Sequence, residues 1–101
     1  MKAHTLREHK GRFFEVLETT PNSQIAVMTI TPGGTSGSEG LHPGDQVVVI
    51  LEGEAEVRIE NSKIKASAHE VVIIPAKKKH LIVNNSNKDV FLLNIYAPPA
   101  Y

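Results

Sequence analysis

The stretch HPGDQVVVILEGEAEV, from His42 to Val57, decides the fold. Its first half is apolar at every position from Val47 to Leu51, as in a strand covered on both faces. In its second half Ala55, Val57 and then Ile59 alternate with Glu54, Glu56 and Arg58, giving one apolar and one charged face. Both runs are too short for a typical helix. With Gly53 at the corner between them, the pair predicts a β-hairpin.

Working outward, the same character continues. Downstream, Asn61-Ser62-Lys63 reads as a turn followed by the strand KIKAS. The stretch VVIIPAKKKHLIVNN, Val71 to Asn85, then reads as two strands on either side of a lysine turn. The loop SNKD leads into DVFLLNIYAPP, where prolines end the strand. Upstream lie a short apolar segment, Phe13 to Leu17, and the β-branched run QIAVMTIT from Gln24. The glycine- and serine-rich PGGTSGSEG that follows suits no regular helix. No segment reads as a helix. Short strands separated by turn signals predict one all-β sandwich or barrel domain over residues 1–101.

Composition narrows the function classes. Eleven Lys and Arg against eleven Asp and Glu give no net charge, which speaks against a general nucleic-acid or anionic-membrane binder. Basic residues are not interleaved with aromatics, of which there are only five, so no base-stacking platform forms. With no cysteine there is neither a disulfide nor a thiolate metal site. The N-terminus lacks a secretory signal pattern and no apolar run approaches the roughly 20 residues that span a bilayer, so a cytoplasmic protein is expected. Ser36 and Ser38 lack a nucleophile-elbow sequence, and GGTSG lacks the lysine of a phosphate-binding loop.

The span from Gly34 to Asn84 resembles the two motifs of the cupin superfamily. The first, G-x5-H-x-H-x3/4-E-x6-G, is met by Gly34, His42 and Gly53. Gly40 stands in place of its first histidine, and Gln46 in place of its glutamate. The second, G-x5-P-x-G-x2-H-x3-N, is met by Pro75, His80 and Asn84, with His69 and Lys77 in place of its two glycines. The resemblance implies a double-stranded β-helix, a jelly-roll-like antiparallel barrel. It also implies a ligand pocket inside, a homodimer, and a metal held by three histidines and a glutamate.

The residues themselves support a pocket. Gln46, Val48 and Ile50 share a face by the two-residue period, as do His80, Ile82 and Asn84. If both faces point inward, His42, Gln46 and His80 converge in an otherwise apolar cavity, where polar groups need partners. Two imidazoles and an amide oxygen are the expected site for a divalent transition metal (Zn, Fe, Mn, Ni or Cu), held weakly because the carboxylate is missing. The alternative is a metal-free pocket in which the imidazoles bond water and Gln46. Glu39 is the nearest candidate for a fourth ligand, although strict alternation turns it away from His42 unless a bulge intervenes. Asp45 has the same difficulty.

Lys77, Lys78 and Lys79 read foremost as a solvated turn, and secondarily as positive charge at the pocket mouth. His69 is expected on the surface, and no role is assigned to His4 or His9. Val47, Val49 and Leu51 form an outward apolar row that needs cover, from the N-terminal strands or a second subunit.

Three functions follow, in order. The first is a barrel binding a small molecule, such as a sugar or small organic acid, with or without a weakly held metal. The second is a metal-dependent dioxygenase or isomerase whose site is completed by Glu39 or water. The third is a non-catalytic dimeric interaction module with a collapsed apolar pocket. No DNA-binding segment and no membrane partner are expected.

Overall fold

A computed structural model describes residues 2–37 and 39–101; Met1 and Ser38 lie outside the described residues. Among the described residues, eight strands follow one short 3-10 turn, Leu6–His9. They are β1 Phe14–Thr19, β2 Gln24–Ile30, β3 Asp45–Glu52, β4 Glu54–Ile59, β5 Ser62–Ser67, β6 Val71–Ile74, β7 His80–Val83 and β8 Val90–Ala97. One sheet has the order β1-β2-β8-β3-β6 and the other β5-β4-β7, every pairing being antiparallel. Isolated bridges Thr35↔Val83 and Gly40↔His80 lay the glycine-rich segment along the free side of β7. The all-β, double-stranded β-helix architecture is the one the sequence predicts.

The hairpin expected at Gly53 does not form. β3 belongs to the five-stranded sheet and β4 to the three-stranded one, so Gly53 is the corner at which the chain changes sheets. Its φ is +84°, and a Cβ there would lie 2.5 Å from the carbonyl oxygen of Asp89. What reads in the sequence as a β-turn is therefore a tight backbone crossing that only glycine fits. The true hairpin of this region joins β4 to β5, with Ile59 opposite Ser62. The turn is Glu60-Asn61, one residue earlier than the sequence suggests.

The core lies between the sheets. Met28, Ile30, Val48, Ile50 and Leu92 from one sheet meet Ala55, Val57 and Ile82 from the other. Each is buried by the alternation its strand dictates, and together they supply most of the favourable free energy of folding. Asn84, fully buried after β7, donates through Nδ2 to the carbonyls of Ile30 at 2.8 Å and Lys88 at 2.7 Å. It thereby ties the end of β7 to β2 and to the loop before β8.

The N-terminal segment is pinned to the barrel by side chains to which no sequence pattern draws notice. His4 pairs with Glu18 at 2.7 Å and His9 with Glu15 at 3.1 Å. The hydrogen bond from His4 holds the Glu18 carboxyl below its usual range. The backbone N–H of Gly11 donates to Thr29 Oγ1 at 2.8 Å, on the outward side of β2.

Candidate functional site

At one end of the barrel two turns lie side by side. The turn before β3 carries His42, and the lysine turn between β6 and β7 carries Lys77 to Lys79. The N–H of Lys77 donates to the carbonyl of His42 at 2.8 Å, and the N–H of Ala76 donates to Asp45 Oδ1 at 2.9 Å. Asp45 is thus engaged as a turn acceptor on the surface. The three lysines are exposed, in accord with the solvated-turn reading, and His69 is exposed as expected.

This fastening sets His42 against the first residue of β7, His80, with ring centroids 5.2 Å apart. Both line a cavity of about 50 Å³, together with Met28, Gln46 and Ile82. The pocket is less apolar than the sequence implies, because Ser36, Tyr96 and Tyr101 also line it. Glu39 is exposed and does not line it. Among the described residues no group of three or more His, Cys, Asp or Glu gathers at any point.

The hydrogen bonds define what the pocket offers. Nδ1–H of His80 donates to the carbonyl of Lys78 at 3.1 Å, since a carbonyl can only accept. In the neutral ring this leaves Nε2 with its lone pair. That atom faces Gly40, where a Cβ would sit 3.5 Å away, so the space beside His80 is open because residue 40 has no side chain. Burial, and then the neighbouring His80, hold the His42 pKa below its ordinary value of 6.5. His42 is therefore a neutral donor of a lone pair at neutral pH. Burial pushes the Tyr96 phenol upward, so it stays protonated.

Gln46 is 3 % exposed, and its Nε2 donates to Oδ1 of the fully buried Asn94 at 2.9 Å. That leaves Gln46 Oε1 and Asn94 Nδ2 buried with no partner among the described residues. Such atoms are costly unless a bound group satisfies them. Asn94, on β8, stands opposite Val48 and so shares the inward face with Gln46. Its signal in the sequence is a lone amide between Leu92 and Tyr96 on an apolar strand.

Two imidazoles and one orphaned amide oxygen fit a divalent transition metal in donor type, and lack the carboxylate that would hold it tightly. A metal at this place would rest on His42, Gln46 and His80 and supply Lewis acidity. Asn94, by holding the amide nitrogen of Gln46, would aim the oxygen.

Comparison with known proteins agrees with this fold. Residues 26–96 match the model of the Cupin domain family. The protein YrkC of Bacillus subtilis (strain 168) is 28 % identical over 99 residues, covering 91 % of this chain; the chain spans 53 % of the length of that relative. The crystal structure of BH2720 from Bacillus halodurans superposes with a TM-score of 0.87 at 27 % identity, covering 93 % of this chain and 76 % of the other. A Klebsiella pneumoniae protein with a double-stranded β-helix domain gives a TM-score of 0.84 at 21 % identity, covering 100 % and 94 %. With the family model spanning most of the barrel and the two motifs in register, this chain belongs to the Cupin domain family.

Proposed function

We propose that this chain binds a small molecule at the His42–Gln46–His80 end of the barrel, with a weakly held divalent transition metal between protein and ligand. One observation carries the reading: two imidazole rings 5.2 Å apart line the same cavity as Gln46, whose buried amide oxygen has no partner among the described residues. None of the three donors is a carboxylate, so the complex gains charge balance when the ligand brings it. That favours a small organic acid over a sugar. An interaction module with a collapsed apolar pocket would not place these polar atoms around one cavity. The dioxygenase or isomerase reading loses Glu39, which is exposed and does not line the cavity, and is left with water to complete its site.

Metal titration by calorimetry, with elemental analysis before and after chelation, tests this. Binding of about one metal per chain, lost in His80→Ala and weakened in Gln46→Leu, is the expected outcome. No uptake of zinc, nickel, copper, iron or manganese at any concentration short of precipitation removes the metal from the proposal.

The outer face of the five-stranded sheet is assigned, in the same reading, to a second copy of the chain. Leu93, Val49 and Val71 form one row across three strands, ending on the already buried Val27 of β2, and Ile25, Ile95, Val47 and Ile73 form the next. Val71 and Ile73 are each 60 % exposed on the edge strand β6. An apolar grid of this kind is self-complementary about a two-fold axis. Light scattering should give a dimer that Val49→Lys converts to a monomer; a monomeric parent protein rejects the assignment.

A further inference from the structure

The cavity is too small for the ligand the site suggests. About 50 Å³ holds one or two waters, whereas small-molecule sites commonly run to several hundred. What closes it is the segment after β8. Pro98 to Tyr101 turns back across the barrel mouth, and the Tyr101 ring seats among three others. Its centroid lies 4.9 Å from Phe14, 5.6 Å from His42 and 5.2 Å from Tyr96, at interplanar angles of 56°, 68° and 71°. These are the tilted and edge-on geometries in which aromatic rings attract one another.

The strap is latched by one side chain. Gln24 Oε1 accepts from the backbone N–H groups of Ala100 at 3.2 Å and Tyr101 at 2.9 Å. Its Nε2 donates to the Tyr101 carbonyl at 2.7 Å and to Thr19 Oγ1 at 3.0 Å. Gln24 is 2 % exposed, the first residue of β2, and its amide has both ends committed to holding the strap. Yet Tyr101 remains 65 % exposed, so its ring is gripped from one side only. A wall that is latched but barely buried can open at low cost.

Resting on the site proposed above, we infer that Phe14, His42 and Tyr96 form an aromatic subsite at the pocket mouth, that Tyr101 is its resident occupant, and that a ring-bearing ligand takes Tyr101's place when the strap lifts. The slot offers three ring faces or edges to any planar ring. Beyond the slot the cavity is lined by the polar side chains of His80 and Gln46, which a hydroxyl on the ligand's ring would meet directly or through the bound metal, so the matching ligand is a hydroxylated ring. Phenol is the simplest molecule of that class.

The test reads the accessibility of His42 and needs neither metal nor a known ligand. Diethylpyrocarbonate acylates neutral imidazole, and peptide mass spectrometry reports each histidine separately, with the exposed His69 as internal reference. Relative to His69, His42 should react about tenfold faster in Tyr101→Ala than in the parent protein, because the wall is gone. Gln24→Ala, which keeps the ring but removes the latch, should show a rise of the same sign. Phenol at millimolar concentration should return the His42 rate in Tyr101→Ala toward that of the parent, while cyclohexanol should do so more weakly. Equal His42 rates in all three proteins overturn the strap. A rise that phenol does not reverse overturns the aromatic subsite. Either result is separate from the metal titration, so the site itself can stand or fall independently.

Discussion

The two motifs that carry the family resemblance have diverged in opposite ways. In the first, Gly34 to Gly53, the glycines at both ends are kept and the chemistry is changed: Gly40 and Gln46 stand where a histidine and a glutamate belong. In the second, His69 to Asn84, the chemistry is kept at His80 and Asn84, and both glycines are gone. The structure explains the asymmetry. A Cβ at Gly53 would meet Asp89 O at 2.5 Å, and one at Gly34 would meet Thr31 O at 3.1 Å, so backbone itself fills the space. His69 and Lys77 also keep left-handed backbone, with φ of 73° and 63°, but both are exposed. A glycine needed for room cannot be replaced; one needed only for its dihedral angle can, at the cost of strain.

The largest effect expected from that distinction is at Gly53. Gly53→Ala combines a positive φ with a backbone collision at the corner between the sheets, and should destabilise by about 3 kcal/mol or more. In a domain of this size that lowers the melting temperature by roughly 15 °C. A melt within a few degrees of the parent's would show that the crossing at Asp89 relaxes easily.

Next comes restoration of the changed chemistry. Gly40→His with Gln46→Glu rebuilds the family's ligand set. Residue 40 does not have a positive φ, and its Cβ would make only an ordinary 3.5 Å contact with His80 Nε2. The carboxylate introduced at position 46 would also find a donor waiting, because Asn94 need only turn its amide to present the unpaired Nδ2. Zinc affinity should rise roughly 100-fold or more over the parent in competition with a chelator. Unchanged affinity would mean that the two imidazoles do not aim at one point.

The reciprocal experiment on the second motif has a smaller and opposite effect. His69→Gly and Lys77→Gly relieve left-handed strain of about 1 kcal/mol each, less part of that gain returned by the more flexible unfolded chain. Each should stabilise by roughly 0.5 kcal/mol, and the two should add because they lie in separate turns. Denaturant midpoints moving to lower concentration in both variants would contradict the account of why these glycines were dispensable.

Much of this was legible in the sequence, and the exceptions share a cause. Strand positions follow from alternation and apolar runs, which local chemistry dictates. So do the inward faces of Gln46 and His80, because period two places each on a definable face; His42 reaches the same cavity from the turn before β3. The false hairpin at Gly53 comes from reading a corner as a turn: both need glycine, and only the long-range partner, Asp89, tells them apart. The missed residues, Gln24, Asn94 and Tyr101, act through contacts with side chains or backbone far away in the chain. Gln24 bonds residues 100 and 101, and Asn94 bonds Gln46. No spacing rule reports such pairings.

The finest contrast between the motifs lies in how they treat their retained histidines. His80 is buried at the start of β7 with its Nδ1–H bonded to Lys78. His42 sits half-buried on a turn, facing the rings of His80, Tyr96 and Tyr101. No acid faces it from these elements among the described residues, so nothing offsets the burial that keeps its ring neutral. With a native pKa below the ordinary 6.5, the unfolded state takes up a proton first as pH falls. The contribution of a neutral His42 is therefore complete above that value and is lost progressively as pH falls through the native one. His42→Gln removes the titration while keeping a polar side chain. The stability difference between parent and variant should be flat from about pH 8 to 7, then shift against the parent as pH drops to about 5. A difference that stays constant across the range would place His42 in water, and with it would go the argument that its lone pair is held ready for a metal or a ligand.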